Sequence, residues 1–157
     1  MDKILDIDNV DLKIISLLNE DAKTPYTEIA KKVFVSSGTV HVRMKKLEDM
    51  GVVKSATLNI NFSKLGYDIS AFLGIYLEKS SLYDTVIEKL KGISEVVSAY
   101  YTTGNYSIFA KIICRDTNHL RLVLDKIQKV DGIDRTETLI VLEESINRPI
   151  SFFNKEK

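Results

Sequence analysis

The chain changes its hydrophobic rhythm part-way along. Up to Lys54 apolar residues recur at three- and four-residue steps, the period of a helix packed on one side; from Asp68 onward, helical and two-residue periods alternate. The change predicts two domains, residues 1–54 and 68–157, joined by a linker over 55–67. In the first domain DNVDLKIISLLNED can start on Asp8 as N-cap, with Asp11 in the first turn where the helix dipole favours an anion. Val10, Ile14 and Leu17 share one face of that helix. In TPYTEIAKKV, Thr24 can cap and Pro25 can take the first helical position, where its missing N–H costs nothing. FVSSG supplies a short turn, and Ser36 or Ser37 caps a third helix that buries Val40, Met44 and Leu47 and ends at Gly51. Three short helices with a tight connection between the second and third predict a helix-turn-helix.

The segment VVKSATLNINFSKLGYD reads as extended, a linking strand leading the chain away, with Gly66 as a breaker. The second half then reads as strand SAFLGIYLE, helix SLYDTVIEKLKG, strand EVVSAYYTT, strand NYSIFAKIIC, helix TNHLRLVLDKIQKV and strand DRTETLIVLEES. This βαββαβ order is the ferredoxin-like plan, so the fold class is α+β. Leu82, Val86, Ile87 and Leu90 on one helix and Leu120, Val123, Leu124 and Ile127 on the other would cover one face of the sheet. Phe72, Gly74, Tyr76 or their neighbours would occupy the second face, and an apolar second face invites a partner subunit.

Charge changes this picture only locally. The 157 residues carry 22 Lys+Arg against 22 Asp+Glu, so the net charge of +0 gives no global signal for nucleic acid. Yet no acidic residue stands between Glu28 and Glu48, an interval holding Lys31, Lys32, Arg43, Lys45 and Lys46. A positive field is concentrated on the second and third helices. A single cysteine, Cys114, excludes an intramolecular disulfide, and its place in SIFAKIIC reads as a buried strand residue. No segment approaches the ~20 apolar residues of a membrane span. A cytoplasmic protein without membrane contact is expected.

Metal and enzyme chemistry find little support. His41 and His119 lie in different halves with no Cys or carboxylate cluster at ligand spacing, so no metal or cofactor is expected. Ferredoxin-like domains can carry phosphatase chemistry, but no phosphate-cradling loop beside an arginine is present, nor a nucleophile-and-base constellation.

DNVDLKIISLLNEDAKTPYTEIAKKV, followed by S-x-x-T-V-x-x-R-M-K-K-L-E-x-x-G-V-V, resembles the helix-turn-helix of the Lrp/AsnC transcription regulators, and TTGNYSIFAKI resembles the glycine-containing turn of their sensing domain. The resemblance spans essentially the whole chain. It implies a DNA-binding regulator that assembles as dimers and rings of dimers, an octamer among them, and binds an amino acid or related small molecule between sensing domains. In the helix-turn-helix context Ser37, Gly38, His41, Val42 and Lys45 would face the major groove, while Ser36, Thr39, Arg43 and Lys46 would contact phosphates of double-stranded DNA.

The effector would lie at Thr102, Thr103, Gly104, Asn105, Tyr106 and Ser107, where turn N–H groups can hold a carboxylate and hydroxyls add hydrogen bonds. The same residues also suit a plain hairpin turn. Thr136 and Thr138 would line the cleft from a neighbouring chain. Where the family's turn frequently reads G-D-Y-D, this chain has Gly104, Asn105, Tyr106 and Ser107. Without those acids a ligand cation would be unpaired, so a neutral or hydrogen-bonding ligand, weak amino-acid binding or an empty site is expected. The competing function is an architectural DNA-wrapping protein with no effector.

Overall fold

The computed structural model describes residues 6–153. They divide into a unit of residues 6–58 with 146–153 and a unit of residues 59–145, so the last described residues go with the helices and not with the sheet.

The helical unit is built from α1 (Asn9–Glu20), α2 (Tyr26–Val33) and α3 (Ser37–Asp49). Asp8 caps α1 reciprocally. Its carboxylate accepts the Asp11 N–H at 2.8 Å, and the Asp11 carboxylate accepts the Asp8 N–H at 3.2 Å. At α2 the start differs from expectation: Pro25, with ψ 141°, is itself the N-cap, and Thr24 makes no cap. The Pro25 carbonyl accepts the first helical bonds, from the N–H groups of Glu28 at 2.9 Å and Ile29 at 3.1 Å. Ser36 caps α3, accepting the Thr39 N–H at 3.1 Å. Gly51, at φ 71°, lets the chain turn back so that the Val52 N–H reaches the Leu47 carbonyl at 2.9 Å. Ile14, Ile29, Val40 and Leu47 are fully buried between the helices, with Ala30, Val33 and Met44 beside them.

The second unit is a four-stranded antiparallel sheet in the order β2-β3-β1-β4, from β1 (Ile69–Leu77), β2 (Val96–Tyr101), β3 (Ile108–Cys114) and β4 (Ile133–Ile140). Helices α4 (Tyr83–Lys91) and α5 (Thr117–Gln128) cover one face. Ala71, Leu73 and Ile75 of β1 and Ile108, Ala110 and Ile112 of β3 meet Val86, Leu90, Leu120, Val123 and Ile127 there. Each buried aliphatic side chain of this size stabilises the fold by roughly 1.5–3 kcal/mol before entropy is counted. Cys114 ends β3 inside this core; burial, with Glu95 and Asp116 nearby, pushes its thiol up and keeps it protonated.

The linker forms no strand within one chain. Residues 53–61 belong to no helix or strand, and Phe62–Leu65 forms a short 3₁₀ turn. Among the described residues no strand of the same chain pairs with this segment.

Candidate nucleic-acid interface and effector site

Helix α3 buries Val40, Met44 and Leu47 and therefore turns a second stripe outward. Gly38, His41, Val42 and Lys45 are exposed along it, Val42 with 71% of its surface free. The His41 ring meets Tyr26 of α2 edge-on at 4.5 Å, which holds the imidazole without burying it. Ser36 and Thr39 share a hydroxyl hydrogen bond of 2.8 Å at the helix start. An exposed stripe of mixed donors, a methyl-bearing side chain and a cation is what direct readout of base edges requires.

Arg43 and Lys46 point elsewhere, onto the start of α1. The Arg43 guanidinium donates to Asp8 and Asp11, both at 2.7 Å, and Lys46 lies 3.6 Å from Asp11 and 3.2 Å from Asp6, donating also to the Asp6 carbonyl. Asp11 is fully buried and is the only charged side chain so buried among the described residues. The expected phosphate-contacting pair is thus engaged inside the unit. Hydrogen bonds to Asp11 and then Asp8 push the Arg43 pKa up, and the Asp11 N–H followed by Arg43 holds the Asp8 carboxyl below its ordinary value.

The Thr102–Ser107 segment closes the β2–β3 hairpin. The Thr102 N–H reaches the Ser107 carbonyl at 3.2 Å, and its hydroxyl donates to the Tyr106 carbonyl at 2.6 Å. Gly104 adopts φ 106°, a conformation that disfavours side chains. Thr103, Gly104 and Asn105 stand exposed at the tip. The Ser107 N–H donates to the Ile75 carbonyl at 2.9 Å and ties the turn to β1. Tyr106 folds back across Gly74, whose missing side chain makes room: a Cβ there would lie 2.4 Å from the ring.

That placement brings Tyr106 to Glu137 of β4. The Tyr106 hydroxyl donates to one carboxylate oxygen at 2.8 Å and Tyr76 to the other at 3.0 Å, while Arg135 stacks 4.0 Å above the Tyr76 ring. The hydrogen bond from Tyr106, then that from Tyr76, holds the Glu137 carboxyl below its ordinary range, and the same bond pushes the Tyr106 phenol up. Sequence reasoning missed Glu137 and Arg135, and it placed Tyr76 on this face of the sheet without giving it a role in the site. The two-residue alternation of β4 was the available signal, since it sets Glu137 opposite to Thr136 and Thr138.

Within one chain the two threonines lie on the other side of β4 from Glu137. They pair with Ile75 and Leu73, whose side chains point to the helices, so Thr136 and Thr138 face away from Tyr106; Thr136 accepts a hydrogen bond from Gln128 of α5 at 3.3 Å. Glu137, paired with Gly74, takes the face that Tyr106 crosses. The cluster around the turn does hold an acid, supplied by β4 and not by the turn itself.

A winged helix-turn-helix DNA-binding profile matches residues 7–54, and an Lrp/AsnC ligand binding domain profile matches residues 70–150. Regulatory protein AsnC of Haemophilus influenzae is 48% identical over 92% of this chain and 97% of its own. This chain belongs to the Lrp/AsnC family. AsnC of Escherichia coli is 46% identical over 92% of this chain and 95% of its own. Its solved structure superposes with a TM-score of 0.86 at 43% identity, covering 92% of this chain and 98% of that one. A Neisseria meningitidis regulator solved with L-Met shares the fold, with a TM-score of 0.85 at 22% identity over 90% of this chain and 94% of its own. The family's two parts, a DNA-binding helix-turn-helix and a ligand-binding domain, are thus both present. Among the described residues no group of three His, Cys, Asp or Glu side chains is gathered for a metal, and no helix is long and apolar enough to cross a membrane.

Proposed function

We propose that this member of the family reads double-stranded DNA with the exposed stripe of α3 and that an amino acid or related molecule, bound at the Tyr106–Glu137 cluster, alters its grip or assembly. The observation that carries this reading is the division of α3 into a buried stripe, a side clasped to α1, and an outward stripe of Gly38, His41, Val42 and Lys45. On this reading Ser37, Gly38, His41, Val42 and Lys45 specify bases, Ser36 and Thr39 contact phosphates, and Arg43 and Lys46 orient the helix from behind. The protein acts in the cytoplasm as a homo-oligomer and performs no catalysis.

At the effector site the N–H groups of Thr102 and Ser107 already serve the hairpin, so a ligand carboxylate falls to those of Thr103–Tyr106. Glu137 can then face a ligand ammonium, which restores the charge pairing that Asn105 and Ser107 do not provide. A neutral amino acid is the expected ligand. Calorimetric titration with neutral, acidic and basic amino acids, followed by DNA binding with each ligand found, tests this reading. Binding of one neutral amino acid that changes DNA affinity, lost in Glu137→Gln and Asn105→Ala, is the expected result. No binding by any of them would leave an architectural DNA-wrapping protein in which the sheet domain only oligomerises.

A further inference from the structure

Phe34 follows α2 in the turn that leads to α3. Its backbone is left-handed, at φ 59° and ψ 44°, and it is the only non-glycine residue with positive φ among those described. The conformation is needed by the turn, because it lets the N–H groups of both Phe34 and Val35 reach the Ala30 carbonyl. Glycine would supply it without strain, whereas a side chain there opposes the fold. Nor does the ring gain anything from packing: 93% of the residue is exposed. A bulky aromatic thus stands where the fold favours glycine and burial offers no return.

Its surroundings are basic. No acid occurs between Glu28 and Glu48; Lys31 and Lys32 lie on the last turn of α2, Lys32 paired with Glu28 at 2.9 Å, and Ser36, two residues on, opens α3. An exposed ring within a cationic stretch that continues into the outward stripe of α3 suits a surface with apolar edges among anions, as the sugars and thymine methyls of duplex DNA provide. An acidic protein partner would match the cations but leave the ring's partner unspecified. We infer that Phe34 is a further DNA contact of this chain, pressing its ring on a deoxyribose or thymine methyl beside the stretch read by α3. This inference rests on the DNA-binding reading above.

The test uses the full chain and a duplex enriched from a randomised pool by the wild type. Phe34→Gly should lower affinity roughly tenfold at every salt concentration, as expected for a lost apolar contact. The slope of log affinity against log salt should not change, because no counterion is released by a phenyl ring. The same variant should unfold at a temperature roughly 2–4 °C higher, since the strained residue is gone. Phe34→Leu should keep most of the affinity. Phe34→Trp places the sole tryptophan in a chain that has 0, and its emission should shift to the blue when saturating duplex is added.

Wild-type affinity in Phe34→Gly, a shallower salt slope, or unchanged tryptophan emission on a saturated duplex would each overturn the inference. So would an emission shift that follows protein concentration in the absence of DNA, which would assign the ring to a second copy of the chain. A wild-type chain that enriches no duplex would instead overturn the DNA-binding reading, and this inference with it.

Discussion

Arg43 bonds two carboxylates that lie 35 and 32 residues before it, and one of them, Asp11, has no access to water. A buried carboxylate that loses its main cation is left with Lys46 at 3.6 Å and an uncompensated desolvation cost. Arg43→Ala should therefore destabilise the helical unit by about 2–4 kcal/mol, read as a lower urea midpoint. If Arg43 acts on DNA only through the placement of α3, its folded fraction should bind with an unchanged salt slope. Acid should act on the same clasp. Asp8 is held below its ordinary 3.8, so its contribution is complete above that value and disappears as pH falls through the lower folded one. Unfolding followed from pH 6 to pH 2 should show this loss, and Asp8→Asn should remove the charge-dependent part of it. Caps such as Asp8 and Ser36 were legible in the sequence because a cap bonds within three residues. The partners of Arg43 were not, since local spacing cannot tell a cation aimed at phosphate from one aimed at another helix.

At the level of elements, periodicity located the three helices of the first unit and the βαββαβ order of the second because each has one buried face. It failed where that premise failed. The linker forms no strand within one chain, and the turn's acid comes from another strand. Gly74 is the hinge of that arrangement. Adding a Cβ 2.4 Å from the Tyr106 ring must push the ring off β1 and away from Glu137. Gly74→Ala should cost about 1–3 kcal/mol of stability and weaken effector binding more than Tyr106→Phe, which keeps the ring and loses one hydrogen bond. The pH dependence of the cluster has a defined sign. Glu137 stays ionised down to below its ordinary 4.5, so ligand binding that depends on it should be level through neutral pH and fall only as the carboxylate is protonated in acid. Calorimetry between pH 4 and pH 8 would reveal a loss centred near neutrality if a different group carried the response.

On the scale of the whole molecule, the open sheet face carries Phe72 stacked on Phe109 at 5.3 Å, Tyr106 5.9 Å from Phe109, and exposed Tyr100 and Leu139. A face of this composition is expected to be covered by a second copy. Light scattering of the full chain at micromolar concentration should give a dimer or a ring of dimers, and a monodisperse monomer would contradict that expectation. A dimer with a two-fold axis carries two α3 helices, which calls for a palindromic site with half-sites one helical turn or a multiple of it apart. Sequence-specific reading by α3 is tested by the affinity of the full chain for the duplex it selects against a scrambled duplex of equal length, in wild type and Lys45→Ala. The wild type should prefer its selected site by roughly a thousandfold or more, and Lys45→Ala should reduce this ratio while remaining folded. Equal affinity for both duplexes, or a ratio untouched by Lys45→Ala, would contradict sequence-specific reading by α3.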